Sequence, residues 1–296
     1  MKVNIEKQKG DIFRRKLKRM CVVFLMIFIF PLATYLYAFQ FEPKSLSITW
    51  TDIKNANIPE GFQGVKIVQF SDTHFGPHFS HKQQQMLVDQ INELKPDIVV
   101  FTGDLIDKFG EYASERKDSQ TILSQIHAPL GKYAVFGNHD RGGGGGYLYK
   151  QYMEEAGFTV LVNETKKIMA NNGEYITISG LDDFLLGKPK MQQTLQNLRE
   201  KDFNILLVHE PDVIEKVLAY PVDFQLSGHS HGGQVQLPFI GPIITTSLAN
   251  QYVEGLYSIK GNMKPLQLYV NRGIGTTRVP LRFFSKPELS VFSLKN

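Results

Sequence analysis

Seven side chains of this sequence have the chemistry of metal ligands: Asp72, His74, Asp104, Asn138, His209, His229 and His231. They fall in five short polar clusters, each placed just after an apolar run: Asp72-Thr73-His74, Gly103-Asp104, Gly137-Asn138-His139-Asp140, His209-Glu210-Pro211 and Gly228-His229-Ser230-His231. Oxygen and imidazole donors in this mixture suit Mn, Fe, Zn, Ni or Co, and seven are too many for one ion. Two ions sharing one bridging carboxylate would use them all. In Asp72-x-His74 and His229-x-His231, residues i and i+2 of an extended chain point the same way, so both members of a pair could reach one metal region. Taken singly, each residue has a blander reading as a helix cap, a turn or a satisfied core histidine. Five of the eight histidines nevertheless fall inside the clusters, whereas His78, His81 and His127 do not.

The elements that must position these clusters alternate. Apolar runs predict strands at 65–70, 98–101, 133–136, 158–162, 175–179, 205–208 and 224–226. Helical patterns cover 81–94, 114–126, 147–156, 189–201 and 212–219. A turn at Asn171-Asn172-Gly173 joins strands 158–162 and 175–179, and the remainder, with 234–237, 266–270 and 289–294, is strand-rich. The unbroken apolar run 98–101 predicts a strand covered on both faces. Alternation of this kind implies an α/β fold, and polar clusters at strand carboxyl ends are where such folds build their sites. Beyond Asp140, the five glycines 142–146 predict a loose loop.

Residues 1–19 are polar and end in Arg14-Arg15-Lys16-Leu17-Lys18-Arg19, and residues 20–39 carry no charge. As a helix the apolar segment matches the ~30 Å of a bilayer core. Tyr35 and Tyr37 lie near its outer end, where aromatics favour the interface, and the basic cluster predicts an inside N-terminus with the body outside. Pro31 would kink this helix without forbidding it. The rival is a cleaved signal peptide, whose shorter apolar core and small residues before the cut fit Leu36-Tyr37-Ala38 poorly. The expected organisation is a cytoplasmic basic tail (1–19), a transmembrane anchor (20–39), a connector with an edge strand at 45–51 (40–64) and a catalytic body (65–296).

The 296 residues suffice for one large domain with an appendage. The single cysteine, Cys21, excludes an internal disulfide and cysteine-based zinc sites. Residues 1–44 hold nine Lys/Arg and three Asp/Glu, a net of +6 against +4 for the whole chain, so the remaining 252 residues carry −2. The basic balance belongs to the tail, and no nucleic-acid partner is expected for the body.

Asp72-x-His74, Gly103-Asp104-x-x-Asp107, Gly137-Asn138-His139-Asp140, a lone His209 and Gly228-His229-x-His231, in this order, resemble the calcineurin-like metallophosphoesterase family. Gly232-Gly233-Gln234 and the segment Arg272-Gly273-Ile274-Gly275-Thr276 with Pro280, Arg282, Pro287 and Glu288 are similar to its membrane-anchored bacterial branch, which includes diacylglucosamine pyrophosphatases and Gram-positive envelope phosphoesterases. The resemblance implies two facing mixed β-sheets flanked by helices, preceded here by the one transmembrane helix. It implies two divalent ions (Mn, Zn, Fe or Co). Asp72, His74 and His231 would hold one, Asn138, His209 and His229 the other, and Asp104 would bridge them. His139 is similar to the family's non-ligand histidine near the scissile ester, with Asp140 orienting it, and Asp107 would be a structural hydrogen-bonding residue.

The chemistry implied is hydrolysis of a phosphoester or diphosphate by metal-activated hydroxide, since paired cations lower the pKa of water toward ~7 and clamp phosphoryl oxygens. Three readings of function remain open: a cell-membrane enzyme acting on an envelope or lipid-linked substrate from the extracytoplasmic side, a tethered enzyme for soluble nucleotides or small phosphoesters, and a non-enzymatic membrane scaffold. The stretch 237–244, Leu-Pro-Phe-Ile-Gly-Pro-Ile-Ile, is too rich in Gly and Pro for a long helix or central strand. It predicts either a core segment or an outward apolar loop near the site rim, with Phe283-Phe284 beside it.

Overall fold

A strand that is apolar at every position must be covered on both faces, and the residues of Ile98–Phe101 do alternate between two cores. Ile98 and Val100 join Ile67, Ile205, Leu207, Phe224 and Phe292 in one cluster. Val99 and Phe101 join Val68, Leu87, Ile91 and Tyr149 in another. The computed structural model describes residues 2–108, 110, 116–142 and 145–296. Its strands are β1 (Ser47–Lys54), β2 (Lys66–Phe70), β3 (Ile98–Phe101), β4 (Lys132–Ala134), β5 (Thr159–Val160), β6 (Glu164–Met169), β7 (Tyr175–Gly180), β8 (Asn204–Leu207), β9 (Phe224–Ser227), β10 (Gln236–Leu237), β11 (Gly241–Pro242), β12 (Gly255–Ile259), β13 (Leu266–Val270) and β14 (Glu288–Lys295).

Two six-stranded mixed sheets result, ordered β1-β14-β2-β3-β4-β5 and β12-β13-β9-β8-β7-β6, with β10 and β11 apart as a hairpin. The first cluster above fills the space between the sheets. The second lies between the first sheet and the helices His81–Glu93, Arg116–Ser124 and Gly146–Glu155. A third, with Leu206, Val208, Ile214 and Val217, packs the short helix Ile214–Val217 on the second sheet. The protein is therefore an α/β sandwich of two facing mixed sheets flanked by helices, as the resemblance implied. The runs β2-β3-β4-β5 and β13-β9-β8-β7 are parallel throughout, which brings the carboxyl ends of the central strands to one edge.

Several local expectations are corrected. The turn at Asn171–Gly173 joins β6 to β7, not strand 158–162 to β7, and β5 belongs to the other sheet. β6 and β12 are edge strands whose half-exposed residues carry no strong apolar run. Helix 189–201 shrinks to Met191–Leu195, and helix 212–219 starts as a 3₁₀ turn, Pro211–Val213. The Asp212 carboxylate is engaged with the N–H groups of Asn250, Gln251 and Tyr252. Residues 114–115 of helix 114–126 and residues 143–144 of the glycine run lie outside the described residues. The expected edge strand occupies 47–54 and pairs in parallel with β14.

Gly10–Lys44 forms one helix long and apolar enough to cross a membrane. Pro31 has no N–H, and its ring crowds the carbonyl one turn back. The backbone widens into a π turn over Leu25–Ile29, where the Phe30 N–H reaches the Leu25 carbonyl. The far end of the helix is built into the body. The buried Ala38 offers its carbonyl to the Arg282 N–H at 3.0 Å, and the Glu42 carboxylate, also buried, accepts from the Ser285 N–H at 2.5 Å.

Arg282 is itself wholly buried. Its guanidinium donates to the carbonyls of Ser285 (2.9 Å), Arg272 (2.9 Å), Gly273 (3.1 Å), Gly275 (3.1 Å) and His231 (3.4 Å). Burial pushes its pKa down to about 10, partly offset by the field of Asp72, so it stays cationic at neutral pH. Arg282 thus ties the segment 272–285 to the end of the N-terminal helix through its backbone N–H and to His231 through its guanidinium. Arg282→Met is expected to remove all five of these buried bonds and cost ~3–5 kcal/mol, the range for breaking a buried charged network, or a Tm drop on the order of 10 °C. Thermal unfolding checks this, and an unchanged midpoint would deny the guanidinium its bracing role.

Candidate metal centre

The strand-end loops carry unusual backbone. Asp72, His74, Asp104, His229 and His231 all have left-handed φ, between 42° and 67°. Non-glycine residues adopt this region at a cost and keep it where surrounding contacts enforce it. Here the enforcing contacts run between loops: Asp72 N–H to the Gly103 carbonyl (2.9 Å), His74 N–H to the Asp104 carbonyl (3.2 Å) and Gly228 N–H to the His209 carbonyl (3.0 Å). The His229 N–H in turn donates to the Asp72 carboxylate at 3.1 Å. The pairing of Asp72 with His74 and of His229 with His231 therefore rests on kinked turns, not on the extended chain that their i, i+2 spacing suggested.

Glycines let these loops close. A Cβ at Gly137 would run into the Asp104 carboxylate, and one at Gly228 into Ser71 Oγ and the Asp72 carboxylate. Gly228→Ala is expected to cost ~1–3 kcal/mol of stability, as overpacking does, and to weaken metal retention by displacing Asp72. Calorimetry and metal analysis check the two effects, and full metal retention would show that the loop can yield elsewhere.

Six of the seven expected ligands converge. Ligating atoms of Asp72, His74 and His231 lie within 4.8 Å of one another, as do those of Asp104, His209 and His229. Between the groups, His74 Nε2 stands 3.6 Å from Asp104 Oδ2, and His209 Nε2 stands 3.2 Å from the same oxygen. Asp104 is thus the carboxylate shared by both clusters. Asn138, the seventh, starts the turn Asn138–Arg141, and the next residue ties it in: the His139 N–H donates to Asp104 Oδ1 at 2.8 Å.

The donors are set up for cations. His209 Nδ1–H donates to the Thr102 carbonyl (2.6 Å) and His229 Nε2–H to the Ser247 carbonyl (2.8 Å), so each turns its other nitrogen to the centre. His74 Nε2 and His231 Nε2 are 3.0 Å apart beside the Asp72 carboxylate. Burial lowers the pKa of His231 well below the usual value and that of His229 to about 4, which keeps both as the neutral, metal-binding form. Burial opposes ionisation of Asp104, but the neighbouring His209 outweighs it and holds the carboxyl well below the usual range. Asn138 Oδ1 is buried without a hydrogen bond. A carbonyl oxygen left in this way beside carboxylate and imidazole donors is what a metal ion would satisfy, so the residues fit the two implied ions.

His139 differs from the ligands. Its side chain is 30% exposed, against 6% or less for the six converging residues. Its ring nitrogen Nδ1 donates to the Asp107 carbonyl at 2.8 Å, leaving Nε2 free for a substrate. Burial lowers its pKa, but the Asp104 carboxylate and the Asp107 contacts win and raise it. Asp107, expected only as a structural residue, is therefore the group that orients His139. Asp140, expected in that role, does something else. Its carboxylate accepts from the N–H groups of Asp104 (2.7 Å), Leu105 (2.9 Å) and Gly137 (2.9 Å), clamping the loop that carries Asp104 to the one that carries Asn138. His139, Asn138, Asp107, Lys108 and Leu186 line a cavity of about 420 Å³ over the centre.

Sequence reasoning missed the Thr102 and Ser247 carbonyls, which carry no side-chain signal, and the depth at which Arg282 lies. His81 packs on Phe75, and His78 and His127 are exposed.

The family model of calcineurin-like phosphoesterases matches residues 65–233. An uncharacterized metallophosphoesterase of Bacillus subtilis, YkuE, is 47% identical over 262 residues, covering 88% of this chain and 90% of its own. The UDP-2,3-diacylglucosamine pyrophosphatase LpxG of Chlamydia muridarum is 28% identical, with 88% and 93% covered. Among solved structures, the NAD nucleotidase NadN of Haemophilus influenzae shares the fold at a TM-score of 0.51 and 16% identity, over 71% of this chain and 45% of its own. The matched segment runs from the strand before Asp72 to just past His231, and so contains the whole centre. The chain belongs to the calcineurin-like phosphoesterase family and is a metal-dependent hydrolase of phosphoester bonds.

Proposed function

We propose that this protein is a single-pass membrane enzyme with two divalent ions (Mn, Zn, Fe or Co) that hydrolyses a lipid-linked phosphoester or diphosphate outside the cytoplasm. The observation that carries this reading is the join between anchor and site: Arg282 bonds both the Ala38 carbonyl and the carbonyl of the candidate ligand His231. A centre so tied to the anchor works at the bilayer surface. Ala38, where a signal peptidase would cut, is buried against the body, which favours an anchor over a cleaved leader. Arg14 to Arg19 before the apolar span favour an inside N-terminus. The relative LpxG is described as acting on a diacylated sugar nucleotide, and that substrate class comes to this chain as part of the proposal.

Asp72, His74 and His231 would hold one ion and Asn138, His209 and His229 the other, with Asp104 between them. Bound there, the ions would supply a nucleophile at neutral pH and neutralise charge on the phosphoryl oxygens. His139, held through Nδ1, presents Nε2 where a leaving oxygen needs a proton. Asp140 keeps the Asp104 loop rigid while charge moves, a form of preorganisation.

A substrate panel on the full chain in detergent or vesicles tests this, with each metal supplied separately. The panel holds a lipid diphosphate, a nucleotide sugar and bis(p-nitrophenyl) phosphate. The lipid diphosphate is expected to give the highest kcat/KM. A clear preference for the soluble nucleotide sugar would instead establish a tethered enzyme for soluble phosphoesters.

A further inference from the structure

The hairpin β10–β11 follows His231 closely and carries its apolar residues outward. Phe239 is 107% exposed and Ile240 74%, and Ile243 and Ile244 are exposed beside them. A contiguous exposed patch of this kind marks an interaction surface. Its neighbour in the fold is the outer end of the N-terminal helix. Phe283 packs edge-on against Tyr37, and its backbone pairs with the hairpin strand, accepting from the Gln236 N–H and donating to the Gln234 carbonyl, both at 2.8 Å. One residue therefore separates the end of a membrane-spanning helix from the hairpin. Phe284 and Val279 add exposed apolar surface, and the exposed Arg278 supplies positive charge, which suits anionic headgroups. An apolar cavity of about 270 Å³ leads from His231 between Val235, Ile243, Ile244, Val279 and Leu281.

We infer that the tip of this hairpin inserts into the outer leaflet of the bilayer that holds the N-terminal helix, so that the apolar cavity beside His231 opens onto lipid. The inference rests on the membrane-anchored reading above. The occupant is the bilayer and not a protein, because the helix end and the hairpin share Phe283 and the membrane surface must pass at that level. Insertion gives a lipid-linked phosphate a route to the centre along which its apolar chain stays out of water. Apolar side chains at an interface reach ~5–10 Å into the headgroup and acyl boundary, which is the reach expected of Phe239 and Ile240.

The test uses the full chain in vesicles of phosphatidylcholine and phosphatidylglycerol. Trp50 is the sole tryptophan, so Trp50→Phe frees the spectrum. In that background, Phe239→Trp places a reporter on the tip. Met169→Trp places one at the other end of the sandwich, where β6 pairs with the start of β7. Brominated lipid is expected to remove about half or more of the tip emission and to leave the Met169→Trp emission unchanged, given the ~5–10 Å depth of interfacial side chains. Equal and negligible quenching at both positions would overturn the inference. So would a tip emission shielded without lipid and indifferent to bromine, which would mean that a second copy or another protein covers it. Quenching of the tip without hydrolysis of lipid substrates would sink the substrate reading and leave the insertion standing. Hydrolysis without quenching would do the reverse.

Discussion

Asp104→Ala is expected to abolish hydrolysis and to strip metal from both halves of the centre. Its carboxylate lies nearer than that of Asp72 to both His74 and His209, at 3.6 and 3.2 Å against 4.0 Å each. In the proposed two-ion centre, removing it would leave only the Asp72 carboxylate to balance the cations among the imidazoles. The loss should exceed the ~10²–10³-fold that follows deletion of a single transition-state hydrogen bond. Asp104→Asn keeps the shape and the bond from the His139 N–H, so it separates charge from packing. Metal analysis and a diester assay on both variants check this. A variant that kept its metal and its rate would show that the shared carboxylate is not a bridge.

The second large effect is at His139. His139→Ala is expected to retain metal, because the six converging candidate ligands stay in place, and to lose ~10²–10⁴ in rate on esters with alkyl leaving groups, the usual worth of a positioned acid. The loss should be much smaller for nitrophenolate, which departs without a proton. Equal losses across leaving groups would assign His139 to charge stabilisation alone. Removal of metal by the same substitution would make it a ligand, a role its place within 4.8 Å of His74 and Asp104 makes worth excluding directly.

Much of this centre is legible in the sequence, for a physical reason. Buried parallel strands such as Ile98–Phe101 must be apolar throughout, so a polar cluster at the end of one stands out. The edge strands β6 and β12 were not legible, since one side pairs with nothing and their residues mix charge with apolar groups. Nor was the left-handed backbone at Asp72, His74, Asp104, His229 and His231, which depends on hydrogen bonds between loops far apart in sequence. The resemblance implied that Asp140 orients His139, whereas a one-turn helix points its carboxylate back at three N–H groups of its own and the neighbouring loop. The stretch 237–244 balanced between core and surface on composition alone. Its Phe239 proved fully exposed because two prolines and Gly241 turn the chain into a hairpin away from the sheets.

The central claim is a two-ion hydrolytic centre, and one titration tests it most directly. Metal-free protein receives Mn²⁺ in steps while bound ion per chain and hydrolysis of bis(p-nitrophenyl) phosphate are followed together. The account predicts saturation at two ions per chain, with activity appearing mainly as the second binds. Full activity with a single ion per chain, or saturation at one, would contradict it.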